Sequence, residues 1–195
     1  MKKLLMILVL GLSLIGCTSM ETGQALTKGN KTYIKVTDNN VFYLKDNISL
    51  EEYYSISALS IETNFFLETS KHVRIDLRYY PKTKSLYLLF PDYEDGYFNL
   101  IKGIMFSNGQ VVTNAEISNL SNIISSDIPN TRLKNNQAKT LYNIMNSNKS
   151  ITLRVLSSEG YFDIQFRNED KKGFAELLEI YLGLKSYDIK SKIKG

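Results

Sequence analysis

The sequence predicts an antiparallel β-sandwich, all-β or α+β, of about seven or eight strands with two packed helices. Three observations carry this. From Lys31 onward apolar residues recur at every second position, the period of a strand with one buried face. Turn signals separate these runs at hairpin spacing. Two late segments change to a period near 3.6. That many antiparallel strands would otherwise expose an apolar face and two edges, so they are expected to close on a second layer.

The chain has 195 residues and opens Met1-Lys2-Lys3, followed by the uncharged run LLMILVLGLSLIG from Leu4 to Gly16. Thirteen such residues are too short to span a bilayer, which takes about 20, but they match the roughly 7–15 apolar residues of a secretory leader. The run ends Leu14-Ile15-Gly16-Cys17, and Cys17 is the only cysteine in the chain. Residues 1–20 thereby resemble the signal peptide of a bacterial lipoprotein precursor, whose hallmark is Leu, a small or aliphatic residue, Gly or Ala, then Cys. The resemblance covers the export signal alone. It implies that residues 1–16 are removed and that Cys17 carries a diacylglyceryl group as the new first residue. Several acyl chains, each buried CH₂ contributing about 0.8 kcal/mol, would tether the protein durably to a membrane. Thr18 follows where an Asp would signal retention, so the resemblance implies an outer-membrane anchor facing the periplasm if the host is Gram-negative.

The stretch from Thr18 to Lys31, TSMETGQALTKGNK, is polar and without periodicity, so residues 17–31 are expected to be the lipidated end and a flexible tether. A β-rich globular domain is expected over residues 32–184. Ser49 and Glu52 have the spacing of a capping box and suggest a short helix there. Ile56 to Leu67 reads as a long strand. In HVRIDLRYY, residues 72–80, Val73, Ile75, Leu77 and Tyr79 share one face and His72, Arg74, Asp76, Arg78 and Tyr80 the other. Pro81 to Lys84 turns the chain into a return strand from Leu86 to Phe90. Asn108-Gly109 lies between two apolar runs, a hairpin signal that would set Phe106 against Val111.

In NNQAKTLYNIMNSN, Ala138, Leu141, Tyr142 and Met145 form a helical stripe, with Asn136 as its expected cap. Ile151, Leu153 and Val155 then alternate with polar residues, as do Phe162, Ile164 and Phe166. A loop over Ser157 to Gly160 would pair Val155 with Phe162, Leu153 with Ile164 and Ile151 with Phe166, and would bring Arg154 beside Asp163. Such a cross-strand ion pair contributes only about 0.2–1 kcal/mol. Phe174, Leu177, Leu178 and Tyr181 make a second helical stripe, with Asp170 before it and Gly183 after it. Residues 185–195 form a basic tail with Lys185, Lys190, Lys192 and Lys194.

Composition narrows the function. The formal charge is +4, and Lys2 and Lys3 leave with the expected leader, so the mature part is nearly neutral. That balance, with lysine far commoner than arginine, argues against nucleic-acid binding. His72 is the only histidine, it lies beside Arg74 in a strand, and the sequence has no Gly-x-Ser-x-Gly elbow. No catalytic residues, cofactor or metal ligands are therefore expected. Asp92, Glu94 and Asp95 before Gly96 fail calcium-loop spacing, because Gly96 occupies the fifth position where a ligand is needed. The chain has 13 tyrosines and no tryptophan. Tyr79, Tyr80, Tyr87, Tyr93 and Tyr97 cluster along one strand-turn-strand region and are the expected interaction face. The expectation is a lipid-anchored, non-enzymatic envelope module that contacts the membrane through Cys17 and presents this face to an envelope protein or a small ligand. Two alternatives stand beside it: an anchored hydrolase of cell-wall or glycan material using paired carboxylates, and a periplasmic enzyme inhibitor inserting the loop from Pro91 to Tyr97.

Overall fold

The computed structural model describes residues 20–63, 70–90, 103–107, 130–157, 160–187 and 189. Six strands follow one another in a meander: β1 (Ala25–Lys28), β2 (Lys31–Lys35), β3 (Phe42–Asp46), β4 (Glu52–Thr63), β5 (Ser70–Tyr80) and β6 (Ser85–Leu89). After β7 (Gly103–Ser107), strand β8 (Asn130–Leu133) pairs with β6 and completes an open seven-stranded antiparallel sheet of order β1-β2-β3-β4-β5-β6-β8. Helix α1 (Asn135–Met145) precedes a hairpin of β9 (Thr152–Ser157) and β10 (Gly160–Gln165). With β7 this hairpin makes a three-stranded sheet of order β10-β9-β7, and helix α2 (Asn168–Leu182) closes the described fold. This is an antiparallel α+β fold with two packed helices, as the alternation and the two helical stripes predict, and the large sheet is open rather than a barrel. Among the described residues it has ten strands rather than seven or eight.

Alternation decides what each face of the large sheet buries. Tyr54, Ile56 and Ala58 of β4, Ile75 and Leu77 of β5, and Leu86 and Leu88 of β6 point toward the helices and enter one continuous core. Helix α2 lies on β4 and β5, α1 packs on α2, and β10 reaches β4. Phe174, Leu177 and Leu178 of α2, Ala138, Leu141 and Ile144 of α1, and Leu153 of β9 supply the other half of that core. Each fully buried Leu, Ile or Phe contributes about 1.5–3 kcal/mol, the main favourable term in this disulfide-free chain.

The helix ends depart from expectation in one place. The cap of α1 is Lys134, not Asn136. Gln137 reaches back so that its Oε1 accepts from the Lys134 N–H at 2.7 Å, which satisfies an orphan donor without a short polar cap. Asn136 sits inside the first turn, where its carbonyl accepts from Thr140 Oγ1. At the end of α2 Gly183 has φ +71°, the left-handed C-cap conformation that favours glycine. Buried Lys171 joins the two helices' surroundings: its Nζ donates to the carbonyls of Ser147 and Lys149, 2.8 Å each.

The β9–β10 hairpin has the expected register, with Val155 opposite Phe162, Leu153 opposite Ile164 and Arg154 opposite Asp163; the Phe166 N–H donates to the Ile151 carbonyl at 2.9 Å. The short helix at Ser49–Glu52 is not formed. Asp46 Oδ1 instead accepts from the backbone N–H groups of Ile48 and Ser49, Leu50 adopts φ +58°, and Glu52 starts β4. The Asx turn at Asp46 takes the donors a helix would have used. Strand β4 accordingly begins at Glu52 and is described to Thr63, where a strand from Ile56 to Leu67 was expected.

The tether is shorter than residues 17–31. The Gly23 N–H donates to the Lys35 carbonyl at 2.7 Å, and β1 pairs with β2 through a turn at Gly29, whose φ is +59°. The alternating KTYIK of β2 offers an edge that ALTK can join, and the turn residues Gly29-Asn30 close it. Residues 1–16, Cys17, the Asn108-Gly109 turn with Val111, and Lys190 to Lys194 of the basic tail lie outside the described residues. No helix among the described residues is long and apolar enough to cross a membrane.

Candidate functional site

The face of the large sheet turned away from the helices carries the chemistry. The strand register sorts it into rows running across the sheet. Leu26, Tyr33, Leu44 and Tyr53 stand opposite one another from β1 to β4. The next row holds Phe42, Ser55, Arg78 and Tyr87, and the one beyond holds Ser57, Asp76 and Leu89. The first row is apolar and aromatic; the others grade into charge.

Asp76 is the centre of the polar part and is only 1 % exposed. Its Oδ1 accepts from Ser57 Oγ at 2.7 Å and from Arg74 Nε at 3.0 Å; its Oδ2 accepts from Arg74 Nη2 at 3.3 Å and from Arg78 Nη2 at 2.8 Å. Four donors on two oxygens are what a carboxylate needs to stay buried, and charge-assisted bonds from guanidinium forks are the strongest available. Arg78 lies over the Tyr53 ring, 5.2 Å from guanidinium carbon to ring centroid. Tyr53 and Tyr80 are 5.2 Å apart, and Tyr80 and Tyr87 meet edge to face at 5.8 Å.

The titration of these groups follows from burial and from the triad. Burial raises the Tyr53 phenol and pushes Tyr80 up to about 12, so both rings stay protonated and neutral at ordinary pH. Burial would lower the Arg78 guanidinium, yet the hydrogen bond to Asp76 and the nearby phenols hold it above its usual value. Arg78 therefore keeps its charge although its side chain is only 15 % exposed. Its buried Nε has no hydrogen-bond partner.

These rows floor a groove of about 580 Å³, inside the range of about 300–1,000 Å³ typical of small-molecule sites. Leu26, Tyr33, Phe42, Leu44 and Tyr53 line one part, Ser55, Ser57, Arg74, Asp76 and Arg78 the other, and Met20, Lys28 and Lys31 stand at its margin. Both Asp76 oxygens and the Ser57 hydroxyl proton are engaged within this cluster. Among the described residues no group of three or more His, Cys, Asp or Glu side chains is placed to hold a metal ion.

The expected tyrosine face is divided by the strand. Tyr79 and Tyr80 are neighbours in β5, so they point to opposite sides of the sheet. Tyr79 lies on the helix side, stacked 6.0 Å from Tyr54 and edge-on 5.3 Å from Tyr181 of α2. Tyr80 and Tyr87 share the groove side, where Tyr87 is 3 % exposed. Tyr93 and Tyr97, with Asp92, Glu94 and Asp95, lie outside the described residues. His72 stands in β5 opposite Ile61. The residues that sequence reasoning passed over are Tyr33, Phe42, Leu44 and Tyr53, and it read Arg74, Asp76 and Arg78 merely as an outward face. The alternation Arg-x-Asp-x-Arg was the available signal, because it sets cation, anion and cation on one side of one strand.

Compared with models of known protein families, with curated proteins and with solved structures, the chain matches none.

Proposed function

We propose that this chain is a lipid-anchored, non-enzymatic protein of the cell envelope that binds a small ligand in the groove of its large sheet. The observation that carries the binding reading is the groove itself, with an aromatic floor ending at an Arg–Asp–Arg triad centred on buried Asp76. Burying a carboxylate and most of a guanidinium, as at Asp76 and Arg78, is costly unless they are paired and hydrogen-bonded, and such groups cluster at functional sites. The anchor rests on Leu14-Ile15-Gly16-Cys17. Five residues separate Cys17 from Gly23, the point at which the backbone joins the sheet, and the six Cα-to-Cα steps between them reach at most about 20 Å. An acylated Cys17 would hold the groove close to the bilayer surface.

Two experiments test this reading. Metabolic labelling with a fatty acid should mark the wild type, and Cys17→Ser should lose the label and accumulate precursor; normal processing of Cys17→Ser would overturn the anchor. The lipidated protein, purified without denaturant and extracted with solvent, should release a stoichiometric small molecule identifiable by mass spectrometry. Release should fall when Leu26→Asn and Lys28→Glu alter the groove margin. A protein that releases nothing, and whose melting temperature no envelope extract shifts, would overturn the ligand reading.

A further inference from the structure

We infer that β1 is the contact edge between two copies of this chain, which pair antiparallel about a two-fold axis at Leu26 and fuse their large sheets into one. Among the described residues β1 ends the order of the large sheet and pairs only with β2, and all four of its positions are exposed. The Lys35 N–H donates to the Gln24 carbonyl at 3.3 Å. Bonded and non-bonded pairs alternate along an antiparallel ladder, so that bond fixes the parity of the strand. Leu26 and Lys28 turn their backbone groups to β2, and Ala25 and Thr27 turn theirs outward. The approach of Thr27 Oγ1 to Thr32 Oγ1, 3.4 Å, fits the closer side chains of a non-bonded pair. The edge thus offers the N–H and the carbonyl of both Ala25 and Thr27 to another strand. Charge, proline or a bulge commonly blunts such an edge, and Ala25-Leu26-Thr27 contains none of them.

This edge is complementary to itself in one register. With the axis at Leu26, Ala25 of each copy stands opposite Thr27 of the other, and every outward backbone group of those residues is bonded. An axis at Ala25 would need a further bond from Gly23, whose N–H already goes to the Lys35 carbonyl. An axis at Thr27 would need one from Gly29, which lies in the turn at φ +59°. On the groove side the chosen register brings the two Leu26 side chains together, each 52 % exposed in the single chain. The apolar row of Leu26, Tyr33, Leu44 and Tyr53 then runs unbroken through both copies. Lys28 meets Gln24 rather than a second lysine, so no like charges stand opposite. Strand addition of this kind takes affinity from main-chain bonds and specificity from alternate side chains, and the contact is isologous. The axis is normal to the sheet, which leaves both grooves, and the Met20 that lines each, on one side. Under the anchored reading both amino ends then meet the same bilayer; the pairing itself stands without it.

The test uses the full chain in its native membrane under mild oxidation, with the wild type, whose sole cysteine is Cys17, as the blank. Leu26→Cys should form a disulfide dimer at least about tenfold faster than Lys28→Cys. Opposed strand positions lie about 4.5–5.5 Å apart at Cα, within disulfide reach, whereas the two copies of position 28 would lie roughly 14 Å apart. Combining Gln24→Cys with Lys28→Cys should restore the dimer. In detergent micelles, light scattering at rising concentration should show the wild type approaching twice the protein mass of the monomer. Thr27→Pro removes one outward donor at an edge position that tolerates proline; it should stay at monomer mass with its circular dichroism and melting temperature unchanged. Cross-linking no faster at Leu26→Cys than at Lys28→Cys would overturn the axis. A wild type that is monomeric at every concentration, or a dimer untouched by Thr27→Pro, would overturn the edge as the interface. Capture of Leu26→Cys on a different protein, with no dimer of the chain itself, would overturn the second copy as its occupant.

Discussion

Gly173→Ala separates two physical effects of opposite sign. Gly173 lies inside α2, and in an exposed helix the exchange would favour the alanine variant by about 1 kcal/mol through propensity alone. Here an added Cβ would lie 2.0 Å from Ile56 Cδ1 and 2.4 Å from the Asn39 carbonyl oxygen. The Ile56 methyl belongs to a side chain and has some freedom. The Asn39 oxygen belongs to backbone in the β2–β3 turn, which is closed by the Val36 N–H to the Val41 carbonyl at 2.7 Å and tied to α2 by Asn39 Nδ2 to Glu176 Oε1 at 2.8 Å. The helix must therefore move outward by roughly 1 Å, loosening the contacts of Phe174, Leu177 and Leu178, all fully buried. Overpacking of this kind costs about 1–3 kcal/mol, and the lost helix contacts add to it, so the net destabilisation should be about 1–3 kcal/mol after the propensity gain. In a domain of this size that is a fall of about 2–12 °C in melting temperature. Urea unfolding followed by circular dichroism should show a lower midpoint at unchanged slope. Lys172→Ala, next to it on the exposed side, should be near neutral. A Gly173→Ala protein as stable as wild type, or more so, would refute the close seating of α2 on the sheet.

Other outcomes follow from the same geometry. Asp76→Ala removes the carboxylate to which Arg78, Arg74 and Ser57 donate and should destabilise by about 3–5 kcal/mol, toward the low end because Arg74 is partly exposed; Ser57→Ala, which removes one hydrogen bond, should cost about 1 kcal/mol, and chemical unfolding ranks the two. Leu50→Gly should stabilise by about 1 kcal/mol in the same assay, since a leucine at φ +58° is strained and its side chain is 62 % exposed. Burial pushes Tyr54 and Tyr80 up to about 12. The folded state thus holds protons that the unfolded chain releases near pH 10, so stability should be level below that pH and fall as pH rises from about 10 through 12. A pH series of thermal melts checks this, and Tyr80→Phe should lessen the fall.

The long elements were legible because one period dominates each of them. The register of Leu153 with Ile164 could be read from the sequence, since a one-residue slip would turn every apolar side chain outward. The stripes of α1 and α2 were legible for the same reason. Strand β1 was not: ALTK has one large apolar residue, its four positions are all exposed, and what makes it a strand is the edge of β2. At Ser49 the capping-box spacing was present, but Asp46 took the local donors first. The candidate site was the least legible part. Its floor comes from β1 to β5, and only pairing across strands brings Tyr33, Leu44 and Tyr53 into one row. The grouping of Tyr79 with Tyr80 by nearness along the chain ran against the alternation read in the same strand, which sends neighbours to opposite faces.

The order of the large sheet also governs how the chain can assemble. From β1 to β6 each strand lies beside the one made immediately before it, so a polypeptide emerging amino end first can zip up this sheet without waiting for distant segments. The apolar side of the nascent sheet, with Ile56, Ile75 and Leu77, then stays uncovered until α2, which begins about 80 residues beyond β6, is released. Early β-structure followed by late burial creates an interval in which the half-made molecule is sticky. Slowing the delivery of the carboxyl-terminal segment, or truncating before Asn168, should therefore yield aggregates rich in β-structure rather than a soluble, loosely folded chain.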